Sequence, residues 1–174
     1  MVTLEDKLMQ LVMKWYLKGD TRVVAGPAPD GRTLISDAKV AVLLTAHPFN
    51  LEQLVQPNGD VVSEESVKKL LPARELKGEN RLIPTGLKCS DQGCTGIQYV
   101  DSAGETWYVD EKFVKQLMPL KNMPAMPYVA SVGKGFGIVY FVEEPAGILY
   151  GFCASLNGKF KKHFDGSYVK RQGE

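Results

Sequence analysis

Hydrophobic and polar positions alternate with a helical period over residues 3–18. Apolar residues recur there at spacings of three and four positions, namely Leu4, Leu8, Leu11, Val12, Trp15 and Tyr16. This spacing predicts an amphipathic helix. Thr3 can cap its first turn and Gly19 can end it. We expect the helix to pack on the protein's own sheet, with docking onto a partner protein as the alternative.

Two segments after residue 54 resemble each other weakly. Each is interpreted as a strand, a glycine-containing turn, a second strand and a short helix that ends before a proline. Asn58-Gly59 marks the first turn and Ser102-Ala103-Gly104 marks the second. The similarity predicts two hairpin-helix units, which are either an ancient duplication or two examples of a common local motif.

The C-terminal third consists of β-branched and aromatic runs broken by turn residues. This pattern favours an antiparallel meander, with strands at 128–132, 136–142, 147–155, 159–164 and 167–170. The proline-rich segment 120–127 is interpreted as a connector, because proline ends helices and is excluded from central strands. A separate apolar run at 39–45 favours a buried strand. Glu143 and Glu144 precede a proline and are interpreted as a solvated turn.

These elements predict an α+β protein with an N-terminal amphipathic helix, two hairpin-helix units and a C-terminal antiparallel β-meander. Residues 1–120 would contain the helix and the units, and residues 126–174 the antiparallel sheet, packed together as one compact unit. A length of 174 residues is sufficient for a sizeable core. The side chains expected in that core are Leu8, Val12, Trp15, Val42, Leu70, Tyr99, Val114, Leu117, Ile138 and Phe141.

The hydrophobic content, net charge and cysteine number exclude some classes of protein and favour others. Hydrophobic residues make up 44% of the chain and the formal net charge is +1, which excludes a wholly disordered chain and any global attraction to nucleic acid. Polar residues interrupt the N-terminal apolar positions, so we expect no secretory signal and no membrane contact. The three cysteines cannot all pair, which favours reduced thiols and a cytoplasmic location. A Cys89–Cys94 disulfide in an exported protein is the alternative.

Cys89 and Cys94 flank a glycine-containing turn and are the strongest candidates for metal ligands. Two thiolates at this spacing can supply half of a tetrahedral zinc site. Cys153 and His163 are the candidates for the other half, although both lie on distant segments. The alternative interpretation is a turn with two ordinary thiols and no cofactor.

Residues 151–174 are locally basic. Aromatic residues, including Phe160 and Phe164, are interleaved with five cations: Lys159, Lys161, Lys162, Lys170 and Arg171. Cations neutralise phosphates and aromatic rings stack on bases, so this pattern is typical of single-stranded nucleic-acid binding. The alternative is a hairpin whose apolar residues face the core and whose lysines face water. We expect a core position for at least one of the two phenylalanines.

The sequence shows no recognisable catalytic motif. It contains no nucleophile elbow, no His-Glu-x-x-His and no paired acidic motif. By elimination we expect a small cytoplasmic, non-enzymatic binding protein that regulates or inhibits another protein. A nucleic-acid-binding protein is the first alternative, and a zinc- or thiol-dependent enzyme is the second.

Overall fold

The computed structural model describes residues 2–18, 22–45, 59–73, 75–133 and 136–156, together with Phe160. The helices in these residues are α1 (Leu4–Leu17), α2 (Glu64–Leu70) and α3 (Glu111–Leu117). The strands are β1 (Val23–Pro27), β2 (Thr33–Ser36), β3 (Val40–Leu44), β4 (Gly59–Val61), β5 (Ile83–Asp91), β6 (Cys94–Val100), β7 (Thr106–Asp110), β8 (Ala125–Gly133), β9 (Phe136–Glu143) and β10 (Ile148–Ala154). The predicted α+β class is confirmed. None of the helices in the described part of the chain has the length and apolar composition needed to span a membrane.

The predicted N-terminal helix is confirmed as α1, and it begins with a reciprocal cap. The Thr3 hydroxyl accepts a hydrogen bond from the Asp6 amide at 3.1 Å, and the Asp6 carboxylate accepts one from the Thr3 amide at 2.8 Å. These bonds satisfy two amides that lack partners within the helix. Leu8, Val12 and Trp15 are buried, so the apolar stripe faces the rest of the protein.

The strands form two sheets. The larger sheet has seven strands in the order β4-β1-β2-β3-β10-β9-β8, and the smaller has three in the order β5-β6-β7. Among the described strands, β1 and β4 pair in parallel and the other neighbours pair antiparallel. The antiparallel pairing of β8, β9 and β10 agrees with the first three strands of the predicted meander. The last two predicted strands, 159–164 and 167–170, lie outside the described residues except for Phe160, which is helical and not extended. Because β10 also pairs with β3, the C-terminal strands extend the sheet that the N-terminal strands begin.

The two segments that resemble each other in sequence differ in the strand pairing of their described residues. In the second segment, β6 and β7 pair antiparallel and α3 follows β7 directly. In the first segment, β4 pairs in parallel with β1, while residues 46–58, including Asn58, lie outside the described residues. The duplication of a hairpin-helix unit therefore stays a prediction.

Buried side chains lie on both faces of the seven-stranded sheet. On one face, α1, α3 and the small sheet cover a main cluster that includes Leu8, Trp107, Leu117 and Phe141. On the other face, α2 covers a smaller cluster that includes Leu34, Val67, Tyr140 and Phe152. Most of the side chains expected in the core are buried, and Val114 and Ile138 are partly buried against these clusters.

The expectation that Leu70 is buried is wrong. Leu70 is 41% exposed, whereas Val67 on the same short helix is 0% exposed. The helix contacts the sheet through Val67, and the next apolar side chains to reach that cluster are Leu71 and Leu76, beyond the end of the helix. Helical spacing does not predict this change, because it takes place where the helical period stops.

Strand β8 begins at Ala125, inside the segment that was expected to be a connector. It includes Pro127, which is compatible with a strand because β8 is at the edge of the sheet. The Pro127 carbonyl accepts a hydrogen bond from the Leu82 amide at 2.9 Å. The carbonyl of Pro127 thus faces the segment before β5, away from β9, and the missing amide leaves the β8–β9 pairing intact.

Candidate functional site

The cysteine turn is a hairpin in the small sheet. Cys89 lies opposite Gly96 and Cys94 lies opposite Asp91, so both thiols are on one face of the β5–β6 pair. Cys94 donates a hydrogen bond through Sγ to the Asp110 carboxylate at 3.8 Å. The structure thus brings Cys89 and Cys94 to the same surface of the small sheet.

The other proposed metal ligands do not complete a site in the described structure. Cys153 is buried in β10 of the large sheet, and His163 lies outside the described residues. Among the residues that are described, no group of three His, Cys, Asp or Glu side chains is placed to hold a metal ion.

Thiol chemistry is disfavoured by the surroundings of Cys94 and Cys153. Burial raises the pKa of the Cys94 thiol, and the neighbouring Asp110 carboxylate raises it further. Burial raises the pKa of the Cys153 thiol to about 12. Metal binding and nucleophilic attack both require the thiolate, and these shifts favour the neutral thiol at neutral pH.

The basic C-terminal candidates Lys159, Lys161, Lys162, Lys170 and Arg171 lie outside the described residues. Phe160 is described and packs on the small sheet. Its ring lies 5.6 Å from the Tyr108 ring in an edge-on arrangement, and a methyl group added at Gly96 would lie 2.9 Å from it. This half-buried position matches a packing role better than an exposed stacking platform.

A cleft of about 580 Å³ lies on the face of the large sheet that α2 only partly covers. One wall is the segment that follows α2, and the other is formed by β8, β9 and the turn into β10. The lining side chains are mostly apolar, with one tyrosine and two glutamates among them: Pro72, Ala73, Glu75, Leu76, Tyr128, Val142, Glu144, Ala146, Gly147 and Leu149.

Strand register determines which side chains reach the cleft. Leu149 lies opposite Val142 and Tyr128 lies opposite Tyr140. Because paired residues share a face and alternate residues along a strand share a face, Tyr128, Val142 and Leu149 all point to the cleft side. The Tyr140 hydroxyl donates a hydrogen bond to the Leu70 carbonyl at 3.0 Å, which holds the wall after α2 close to the sheet.

A tyrosine–glutamate pair is the main polar feature of the cleft. The Tyr128 hydroxyl donates a hydrogen bond to Glu144 Oε1 at 2.8 Å, and the Glu144 amide donates to the Pro124 carbonyl at 2.6 Å. Burial raises the pKa of Tyr128 and the bond to Glu144 raises it further, while the nearby Arg81 charge opposes the rise. Tyr128 therefore stays protonated as a donor, and it orients a carboxylate whose other lone pairs are available to a ligand.

Glu143 and Glu144 were expected to form a solvated turn, and Tyr128 was expected only as part of a strand. No local signal in the sequence connects them, because the cleft joins segments around residues 75, 128 and 144 that meet through sheet pairing. The arrangement can bind a ligand that has both apolar surface and hydrogen-bond donors. The chain matches no family model, no curated protein and no solved structure.

Proposed function

We propose that this chain is a small cytoplasmic, non-enzymatic protein that regulates or inhibits another protein by binding it. The cleft beside Tyr128 and Glu144 is the observation that supports this function. A concave surface that combines apolar side chains with a few convergent polar groups is a usual form of a binding site. Here the surface is open to solvent along residues such as Ala146, which is exposed, so a group that projects from another protein can enter it.

The charge of the cleft favours a protein partner over a nucleic acid. The charged side chains in its described lining are Glu75 and Glu144, and carboxylates repel the phosphates that dominate nucleic-acid affinity. The cations expected to bind nucleic acid belong to the C-terminal segment, so nucleic acid stays the alternative for that region. The raised thiol pKa values of Cys94 and Cys153 weigh against a thiol-dependent enzyme.

Affinity capture from native lysate tests the proposal when it is combined with a charge reversal in the cleft. Wild-type protein, Glu144→Lys and the matched control Glu79→Lys are compared, each with and without nuclease. Glu79 is exposed and is outside the cleft lining, so both variants change the net charge equally. We expect the same captured protein with wild type and Glu79→Lys, in a nuclease-resistant manner, and its loss with Glu144→Lys. Capture that nuclease abolishes, or that both variants retain, would contradict the proposal.

A further inference from the structure

We infer that the cleft binds an alkylammonium or guanidinium group on an aliphatic stem, namely a Lys or Arg side chain that projects from the partner protein. This inference rests on the proposed function and specifies the chemistry of the bound group. It follows from three features of the cleft: its charge, its apolar walls and the orientation of one carboxylate.

The charge of the cleft is complementary to a cation. Glu75 and Glu144 are the charged side chains in its described lining. Neither takes part in the ion pairs of the described residues, which join Arg22 to Asp60, Arg32 to Asp30, and Lys88 and Lys115 to Glu111. A cation that enters the cleft would therefore find carboxylates that are not neutralised by these pairs. Charge-assisted hydrogen bonds of this kind are roughly twice as strong as neutral ones.

The walls of the cleft suit an aliphatic stem. Leu76, Val142 and Leu149 line the cleft together with smaller apolar residues. Lys and Arg side chains place their methylene groups along such surfaces while the charged end stays near polar groups. The volume of about 580 Å³ is within the range of about 300–1,000 Å³ that ligand sites usually have, so the cleft has room for one such side chain and part of its backbone.

Tyr128 makes Glu144 a directional acceptor. Its hydroxyl donates to Oε1 at 2.8 Å, and the turn after Glu144 is closed by a hydrogen bond from the Gly147 amide to the Glu143 carbonyl at 3.0 Å. Because the tyrosine holds the carboxylate and this backbone bond holds the turn that carries it, less side-chain entropy is lost when a cation binds. Tyr128 is in this account a positioning residue, and Glu144 is the residue that contacts the cation.

Arg81 raises the opposite hypothesis, which is that the site takes an anion. Its charge acts on Tyr128, and its buried Nε has no hydrogen-bond partner in the structure. Arg81 is nevertheless outside the lining of the cleft, and the charged groups that do line it are the carboxylates of Glu75 and Glu144, which repel an anion. The cation is therefore the favoured ligand, and the anion is an outcome that the experiment has to test.

Titration of the ¹⁵N-labelled full chain with single-residue probes tests the inference. The probes are the N-acetyl methylamides of lysine, arginine, norleucine and glutamate, together with n-butylammonium. Norleucine has an aliphatic stem without the charge, glutamate supplies the anion, and n-butylammonium is a free amine without a peptide backbone. We expect saturable shifts of the Tyr128, Glu144 and Gly147 amide resonances with lysine and arginine, and weaker binding of the other probes.

Two variants and one control assign the binding to the proposed residues. Glu144→Gln keeps the shape of the side chain and removes its charge, and we expect it to weaken lysine binding about tenfold, as loss of a charge-assisted bond implies. Tyr128→Phe leaves the carboxylate but not its orientation, so a smaller loss is expected, and Glu79→Gln should leave the affinity unchanged. Retained spectral dispersion shows that each variant folds.

Several results would overturn the inference. Equal binding of norleucine, tighter binding of glutamate, unchanged affinity in Glu144→Gln, or no saturable shift with either cation would each exclude a cation site. Binding of n-butylammonium as tight as that of lysine would point to a free amine instead of a protein side chain. If these probes fail while Glu144→Lys still abolishes protein capture, the proposed function stands and only the cation is refuted.

Discussion

Leu117 and Gly151 meet where α3 rests on the large sheet, and their contact allows a quantitative prediction. A methyl group added at Gly151 would lie 2.6 Å from Leu117 Cδ2 and 2.9 Å from the Ala41 carbonyl oxygen. Both distances are shorter than carbon contacts allow, so we expect Gly151→Ala to destabilise the protein by about 1–3 kcal/mol through overpacking. Leu117 is 0% exposed, and Leu117→Ala should cost about 2–5 kcal/mol through lost burial and a new cavity.

The double variant Leu117→Ala/Gly151→Ala shows whether the two residues are in contact or whether the two substitutions lower the stability independently. Once Leu117 is truncated, the new methyl group at Gly151 no longer collides with it and fills part of the cavity. We therefore expect the double variant to be more stable than the sum of the single effects by about 0.5–3 kcal/mol. The recovery is incomplete because the contact with the Ala41 carbonyl remains.

Urea unfolding followed by tryptophan fluorescence measures these free energies, since Trp15 and Trp107 are both buried. Leu34→Ala is the matched control, because Leu34 is 0% exposed but belongs to the cluster on the other face of the sheet. When Leu34→Ala is combined with Gly151→Ala, the two changes in the free energy of unfolding should add within about 0.5 kcal/mol. If the effects of Leu117→Ala and Gly151→Ala on the free energy of unfolding are also additive, the packing of α3 on β10 is refuted. A Gly151→Ala variant as stable as wild type would refute it too.

Three further predictions concern the close packing around Gly26, the cap of α1 at Asp6 and the buried thiol of Cys153. Gly26→Ala should lower the melting temperature, because the new methyl group would lie 2.7 to 2.8 Å from atoms in and just before α2; Gly78→Ala, with nothing within 4 Å, should not. The hydrogen bond from the Thr3 amide holds the pKa of Asp6 below its usual 3.8. The ionised Asp6 carboxylate therefore stabilises the folded protein fully above pH 3.8, and this stabilisation is lost as the pH falls through the lower pKa of the folded state. Asp6→Asn should therefore show a flatter acid-unfolding curve than wild type, and equal curves would contradict the cap. Iodoacetamide at neutral pH should label Cys153 only after unfolding, because burial raises its pKa to about 12; mass spectrometry that finds rapid native labelling would contradict its burial.

Local patterns were sufficient to predict the elements whose own residues determine them. The apolar spacing and Thr3 predicted α1, and the apolar run at 39–45 predicted β3, which is buried along its whole length. Three of the five predicted meander strands correspond to β8, β9 and β10, with β8 starting earlier at Ala125. Leu70 was misplaced because the end of α2 depends on how the following segment returns to the sheet.

Features that depend on pairing between distant segments could not be predicted. The register between β9 and β10 shifts between Leu149 and Gly151, and Tyr150, which lies at this irregularity, is buried in the main cluster. The sequence contains no signal for it. The cleft has the same origin, since its tyrosine, its glutamates and its apolar walls meet only because β8, β9 and β10 pair in one register and α2 is held by Tyr140.

Photo-crosslinking from Ala146 would show whether another protein enters the cleft. Ala146 is exposed in the turn that lines the cleft, and a photoreactive amino acid there would label whatever enters it; Ala103, exposed in the turn before β7, is the control position. We expect a discrete, nuclease-resistant protein adduct from Ala146 only, whose attachment site maps next to a Lys or Arg of the partner. An adduct that nuclease removes, an identical adduct from Ala103, or no protein adduct from Ala146 would contradict this expectation.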